Sequence, residues 1–326
     1  MNKFVFGGAA FAALLGSAVP VLAQDSVTLA DGAITLSGGV GVVNLHAEEI
    51  VYLDSGDPTV LSLLLWDSTA PLLTTQMDVK LPEGWTLRGQ AQFAMGGDSY
   101  MEDYDWIDPA SYDFDDWSHR SQHEATDLEW YFNGSLLVGH DLSVGDGVTV
   151  NLNGGLKYTY ARWTAYGGNF VYSTTPDSPR DAVFSAPDDE IGITYQQHFP
   201  AAIAGLDATI EQDDWTFDVS AHGGMTFLAY DIDNHWQRTE NGNPEGLRFE
   251  DIFVPAPLVS VAGKATFAVS DSLDMFVGGT WEQIFTARGD TDIYAEHNDD
   301  DLGSFPDGAG GNLGSFSLTA GLTGTF

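Results

Sequence analysis

The chain closes on Phe316-Ser317-Leu318-Thr319-Ala320-Gly321-Leu322-Thr323-Gly324-Thr325-Phe326. Read with a period of two, Phe316, Leu318, Ala320, Leu322, Gly324 and Phe326 share one face of a strand. Ser317, Thr319, Gly321, Thr323 and Thr325 share the other. One apolar face, one small polar face and a terminal aromatic fit the last stave of a bacterial outer-membrane barrel, with lipid outside and a polar lumen inside. Alternation alone would suit a soluble sandwich equally well. The opposite end decides between them. Lys3, the apolar run Phe4 to Val19 and the small-residue site Val21-Leu22-Ala23 read as a secretory leader. Residues 1–23 are therefore expected to be a signal peptide and 24–326 a single barrel domain.

The composition agrees. Thirty-seven glycines, 12% aromatic and only 18% charged residues suit a β domain, and no cysteine is present to form a disulfide or a thiolate metal site. The formal charge of −37 excludes nucleic acid as a partner and favours cationic ones. A pass for alternation gives ten strands, near 33–53, 60–80, 85–100, 126–143, 147–172, 189–210, 214–231, 250–268, 272–289 and 313–326. Short turns at 81–84, 144–147, 211–214 and 269–271 alternate with longer connections at 54–59, 101–125, 173–188, 232–249 and 290–312. That layout predicts an all-β, ten-stranded antiparallel transmembrane barrel, with periplasmic turns below and extracellular loops above. Many of these strands exceed the ~9–11 residues that span a bilayer, so the barrel should project above the outer membrane.

Two polar clusters lie where strands give way to loops on the extracellular side: Asp103-Tyr104-Asp105-Trp106 and Asp231-Ile232-Asp233-Asn234-His235. Glu49, near the top of the first strand, arrives at the same rim. Two carboxylates facing an Asp/His pair suffice to activate water for hydrolysis without a metal or a covalent nucleophile. One difficulty is visible in the pattern. Strict alternation from Trp85, Leu87, Gly89, Ala91 and Phe93, and from Phe217, Val219 and Phe227, turns both clusters toward lipid. Bulges at Gly96-Gly97 and near Gly223-Gly224, or a turn of the strand above the membrane, are expected to redirect them inward.

These residues resemble the omptins, outer-membrane endopeptidases of Gram-negative bacteria. The likeness spans nearly the whole mature chain. It is carried by Glu49 to Leu53, Asp103 to Asp108, Gly167 to Ser173, Asp231 to His235 and Thr319 to Phe326. It implies a ten-stranded barrel with an active-site groove at its extracellular tip. The family's pair of aspartates one residue apart falls on Asp103 and Asp105, and its Asp-x-His pair on Asp233 and His235. Its acidic pocket for a basic residue before the scissile bond is similar to Glu49 and Asp231. In this reading His235 is the general base, Asp233 orients it, Asp103 and Asp105 position the water, and Glu49 with Asp231 holds the substrate cation.

The implied enzyme is an aspartic-type endopeptidase cleaving cationic peptides or proteins after, and in particular between, basic residues. It would be a monomer in contact with outer-membrane lipid. No metal and no cofactor are expected. Lipopolysaccharide is an activator in parts of the family, but the positions whose arginines hold its phosphates carry Tyr160 and His198 here, with Arg162 two residues along. His119 and Arg120 stand where the family tends to be acidic. The acidic set Asp299-Asp300-Asp301 with Asp307 does not match the spacing of a calcium loop. His46, His119, His123, His140, His222 and His297 read as solvated or lumen-facing. The rival from another class is a non-enzymatic barrel acting as adhesin or surface receptor.

Overall fold

The computed structural model describes residues 33–53, 56–107, 109, 111–237 and 246–326. The expected leader, 1–23, lies outside them, as does part of the 232–249 connection. Thirteen strands follow one another: β1 Ile34–Tyr52, β2 Val60–Lys80, β3 Trp85–Ala94, β4 Asp98–Asp105, β5 His119–Gly145, β6 Val148–Tyr172 and β7 Ala182–Gln212. After them come β8 Trp215–Thr226, β9 Tyr230–His235, β10 Leu247–Phe253, β11 Pro257–Ser270, β12 Leu273–Ala295 and β13 Asp300–Thr325.

Three pairs of these are single staves broken by an irregularity: β3 with β4, β8 with β9, and β10 with β11. Counted so, ten antiparallel staves form a ring, because β1 pairs with both β2 and β13. No sheet edge is left open, as a spanning β structure requires. The closing ladder sets Gly39 opposite Gly321 and Gly41 opposite Thr319. A Cβ on Gly41 would fall 2.0 Å from the Leu318 carbonyl oxygen, so that position takes only glycine.

The final strand behaves as its alternation requires. Phe316, Leu318, Leu322 and Phe326 are exposed to the outside, while Ser317 and Thr323 are buried in the lumen. Val40, Val42, Leu73 and Val277 extend the same outward apolar belt. Higher up, the outward positions turn polar, with His46, Asp67 and Asp290 among them. The ladders nevertheless continue, so the sheet rises above the lipid.

The lumen is packed. Lys157 pairs with Glu282 at 2.8 Å, and Arg88 with Asp207 at 2.6 Å. Above them Trp66 stacks on Tyr195 with centroids 5.5 Å apart and lies 5.9 Å from Trp163; all three are fully buried. Side chains fill most of the space inside a barrel of this size.

Three boundaries differ from the sequence reading. About half of the expected loop 101–125 is strand, in β4 and the start of β5, β7 begins at Ala182 inside the expected loop 173–188, and 290–312 is the hairpin of β12 and β13 turning near 296–299. Above the membrane both faces of a strand meet water or polar partners, so apolar alternation disappears although the hydrogen bonds persist.

The expected inward redirection of the two clusters occurs. The β2–β3 ladder pairs Leu72 with Ala94 and the β2–β4 ladder pairs Thr69 with Asp98, so residues 95–97 stand opposite two residues of β2. That extra residue reverses the faces: even positions point inward in β3, odd ones in β4. Gly96 and Gly97 make it possible, with φ of 69° and 89°.

The second redirection is not near Gly223-Gly224, and that expectation is corrected. Both glycines remain in regular ladders, and a Cβ on Gly224 would meet the Ala202 carbonyl oxygen at 2.4 Å, so close strand approach explains that residue. The shift lies at Phe227-Leu228-Ala229. Ala201 pairs with Thr226 and His198 with Tyr230, leaving three residues opposite two, and Leu228 adopts φ 52°.

Candidate active site

The bulges bring the clusters into the upper lumen from two sides. In β4, Asp103 lies opposite Leu64 and Asp105 opposite Ser62, both buried inward residues of β2. Directly opposed residues share a face, so both aspartates point inward. The Ser62 hydroxyl donates to Asp103 Oδ1 at 3.2 Å. Four strand-to-strand steps around the ring, β9 presents Asp231, Asp233 and His235 opposite the inward residues Gln197, Tyr195 and Ile193 of β7. His235 Nε2 is paired with Asp233 Oδ2, and the edge of Phe249 packs on the imidazole at 5.4 Å. The ring is thus held on two sides, yet it keeps 12% exposure toward the mouth, where Asp233 is closed off. Such an imidazole can take a proton from a water in the groove while the buried carboxylate stabilises the cation formed.

Below this pair lies a concentration of buried negative charge. Glu49 is 3% exposed and Asp231 1%, and no lysine or arginine pairs with either among the described residues. Tyr195 donates to Asp231 Oδ2 at 2.7 Å, and Gln197 donates to Tyr195 Oη at 2.9 Å and to the Asn312 carbonyl at 3.1 Å. That relay fixes the tyrosine hydroxyl toward Asp231. Burial pushes the Glu49 carboxyl well above the usual carboxylate range, with the neighbouring charges of Asp233, Asp231 and Asp251 adding to it. Burial likewise raises Asp231, with Asp251 adding and the Tyr195 hydrogen bond opposing. Deprived of water and of a partner cation, these groups resist ionisation; a cation entering the lumen would reverse that.

All six residues singled out in the sequence therefore point into one lumen. Three contributors escaped notice. Asp251, in β10, faces Asp231 across the β9 ladder. His123 was read as solvated or lumen-facing; it is buried, with Nε2 2.9 Å from Ser121 Oγ. Burial lowers its pKa, and the charge of His235 lowers it further. Ser121 is the ladder partner of Asp103, which ties His123 to the aspartate side of the groove. Tyr195 had no signal beyond its place in an alternating strand. An Asp in the polar run Arg248-Phe249-Glu250-Asp251 was hidden by its acidic neighbours.

The other sequence candidates are otherwise engaged. Asp299 pairs with Arg248 at 3.0 Å, and Asp290 accepts from the Asp307 backbone N–H. Among the described residues no group of three or more His, Asp or Glu is arranged to hold a metal ion. On the outer wall the ring of Tyr160 lies 4.7 Å from that of His198, whose Nδ1 is 2.6 Å from the Tyr158 hydroxyl. Arg162 is paired with Glu129 at 2.8 Å.

Comparison with known proteins bears on this arrangement. The Omptin family model matches residues 30–326. Protease 7 of Escherichia coli O157:H7 is 28% identical over 243 residues, covering 74% of this chain and 72% of that protein. Outer membrane protease OmpP of Escherichia coli K12 is 27% identical over 302 residues, 88% of each chain. The crystal structure of outer membrane protease OmpT from Escherichia coli superposes with a TM-score of 0.78 at 22% identity, over 92% of this chain and 99% of that one, which establishes the shared barrel. With its closed ring of ten staves and a family match over nearly all of that ring, the chain belongs to the omptin family and is an outer-membrane protease.

Proposed function

We propose that this protease is an endopeptidase that cleaves after, and preferentially between, basic residues by activating a water molecule. His235 takes the proton of a water held between it and the Asp103/Asp105 pair, and the oxygen of that water attacks the scissile carbonyl. Asp233 keeps the imidazole oriented and stabilises its protonated form. The tetrahedral intermediate collapses when the imidazolium returns its proton to the leaving amine. Asp103 and Asp105 orient the water and assist that transfer. General acid–base participation of this kind contributes ~10²–10⁴ in rate.

The observation that carries the reading is the pair Glu49 and Asp231, buried at 3% and 1% without a partner cation among the described residues. Burying a carboxylate without a partner costs several kcal/mol, roughly, and a fold tolerates it where a ligand completes the site. The side chain of arginine or lysine is such a ligand. The net charge of −37 also draws cationic peptides toward the barrel mouth. The test is a quenched peptide carrying a single Arg-Arg pair, with its product masses read directly. A cut between the two arginines, absent in a citrulline-citrulline analogue, is expected; equal cutting of both would refute basic specificity.

We further propose that activity does not depend on lipopolysaccharide. Tyr160 and His198 carry no fixed cation, and Arg162 is occupied by Glu129. Protein refolded in detergent without the lipid should cleave as fast as protein supplied with it. Strong activation on adding the lipid would overturn this.

A further inference from the structure

The floor of the upper lumen carries one carboxylate more than the two just assigned to the substrate cation. Asp251 stands in β10 directly opposite Asp231, and its other neighbour, Thr291 in β12, is buried and inward as well. Of the outward residues of β10 and β12 at this height, Glu250, Asp290 and Asp292 are acidic and Ile252 alone is apolar, so the group lies above the membrane. Asp251 is 4% exposed, and no lysine or arginine pairs with it among the described residues. A second observation is independent of the cluster's charge. Glu49 Oε2, Asp231 Oδ1, Asp251 Oδ1 and the neighbouring Gln197 Oε1 are all buried, and none of them has a hydrogen-bond partner among the described residues. Buried acceptors are nearly always satisfied, so four together call for a donor from outside.

We propose that Asp251 is a specificity-determining residue: with Glu49 and Asp231 it completes a three-carboxylate cage that takes a guanidinium in preference to an ammonium. The inference rests on Glu49 and Asp231 being the seat of the substrate cation. Asp231 and Asp251 stand side by side on one wall, in β9 and β10, and Glu49 stands in β1, three strand steps further round the ring, so the buried acceptors approach from two sides. An ammonium offers three N–H bonds diverging from a single atom. A guanidinium offers five, spread over three nitrogens in a rigid plane, and it is more weakly hydrated, so it loses less on entering a dry site. Asp231 also lies four residues below His235 on the same face, ~13 Å along the strand, so a long side chain is needed to reach the floor. Depth admits arginine and lysine alike; the number of acceptors separates them. Burial holds the Asp251 carboxyl up at about 7, so an arriving cation ionises it readily near neutrality.

The test uses three quenched peptides identical except for arginine, lysine or citrulline before the scissile bond. Cleavage efficiency is compared for the wild type, Asp251→Asn and Asp251→Ser, each verified as folded by heat-modifiable gel mobility. The wild type should favour arginine over lysine by about tenfold or more, and both variants should bring that ratio to within about threefold, mainly by losing the arginine peptide. An unchanged ratio in the folded variants overturns the proposal and leaves the two-carboxylate pocket standing. Equal cleavage of the citrulline peptide by the wild type overturns the pocket itself, and the proposal with it. If neither variant folds, inhibition of the wild type by butylguanidine and by butylamine decides: clearly tighter guanidine supports the cage, and equal inhibition refutes it.

Discussion

Gly97 offers a test of how the fold aims the site. It sits in the bulge between β3 and β4 at φ 89°, where an L residue costs ~1–2 kcal/mol on conformational grounds alone. A Cβ there would also lie 2.2 Å from the Thr69 carbonyl oxygen and 2.7 Å from the Ala70 Cα. Both atoms are backbone of β2 and cannot move without breaking its pairing with β4. Gly97→Ala should therefore cost roughly 3–5 kcal/mol if the bulge is kept, at the upper end of single substitutions. Releasing the bulge is the alternative, and it slips β4 by one residue. Asp103 and Asp105 would then face outward, while Glu102 would turn into the lumen away from Arg120, its 2.5 Å partner. Either route disables the aspartate side of the groove and spares the lower barrel. Gly96→Ala is the control, since φ there is 69° but nothing lies within 4 Å of the added methyl. Peptide cleavage and heat-modifiable mobility are measured on both. Gly97→Ala should lose about a hundredfold or more in cleavage and Gly96→Ala no more than about threefold, given the general-base magnitude at stake. Wild-type cleavage by a folded Gly97→Ala protein would refute the claim that this bulge aims the aspartates.

Three further outcomes follow from the same geometry. Glu49→Gln keeps shape and removes charge, so efficiency on Arg or Lys peptides should fall roughly ten- to a hundredfold, with little change for a neutral residue at that position; a constant ratio between the peptides would make Glu49 a structural carboxylate. Burial moves Asp251 from 3.8 to about 7 and raises Glu49 and Asp231 well above the carboxylate range. The folded state thus holds protons that the unfolded chain releases, so the stability of the free enzyme should decline as pH rises from about 4 through about 7, while KM for an arginine peptide falls over the same interval; a denaturant midpoint that rises, or a KM that stays constant or rises, would contradict it. In the lower lumen, Lys157→Met strands Glu282, which otherwise has Lys157 at 2.8 Å and Asn133 Nδ2 at 2.9 Å. It should destabilise the barrel by ~3–5 kcal/mol, and Lys157→Met with Glu282→Leu should recover most of that in urea titrations.

The membrane-embedded half was legible because one physical contrast, lipid against a polar lumen, writes itself into alternate residues of every stave. Phe316 to Phe326 and the short turns were read correctly for that reason. Above the lipid the contrast vanishes, and β5, β7 and the β12–β13 hairpin all run further than alternation could show. The inward turn of Asp103 was foreseeable because a Gly-Gly pair marks its bulge. The turn of Asp231 was misplaced because its bulge uses Leu228, a residue whose left-handed conformation has no sequence mark. Asp251 was unreadable for a related reason: in a chain of 48 acidic residues, only the ladder opposite Asp231 separates it from its solvated neighbours.

The central claim is that His235 is the base that activates water. Steady-state cleavage of the single Arg-Arg peptide by His235→Ala, in protein whose heat-modifiable mobility matches wild type, tests it most directly. An interaction made only in the transition state lowers kcat and leaves KM in place. The account predicts kcat reduced by ~10²–10⁴ with KM near the wild-type value. A folded His235→Ala protein with undiminished kcat, or one weakened only in KM, would contradict it.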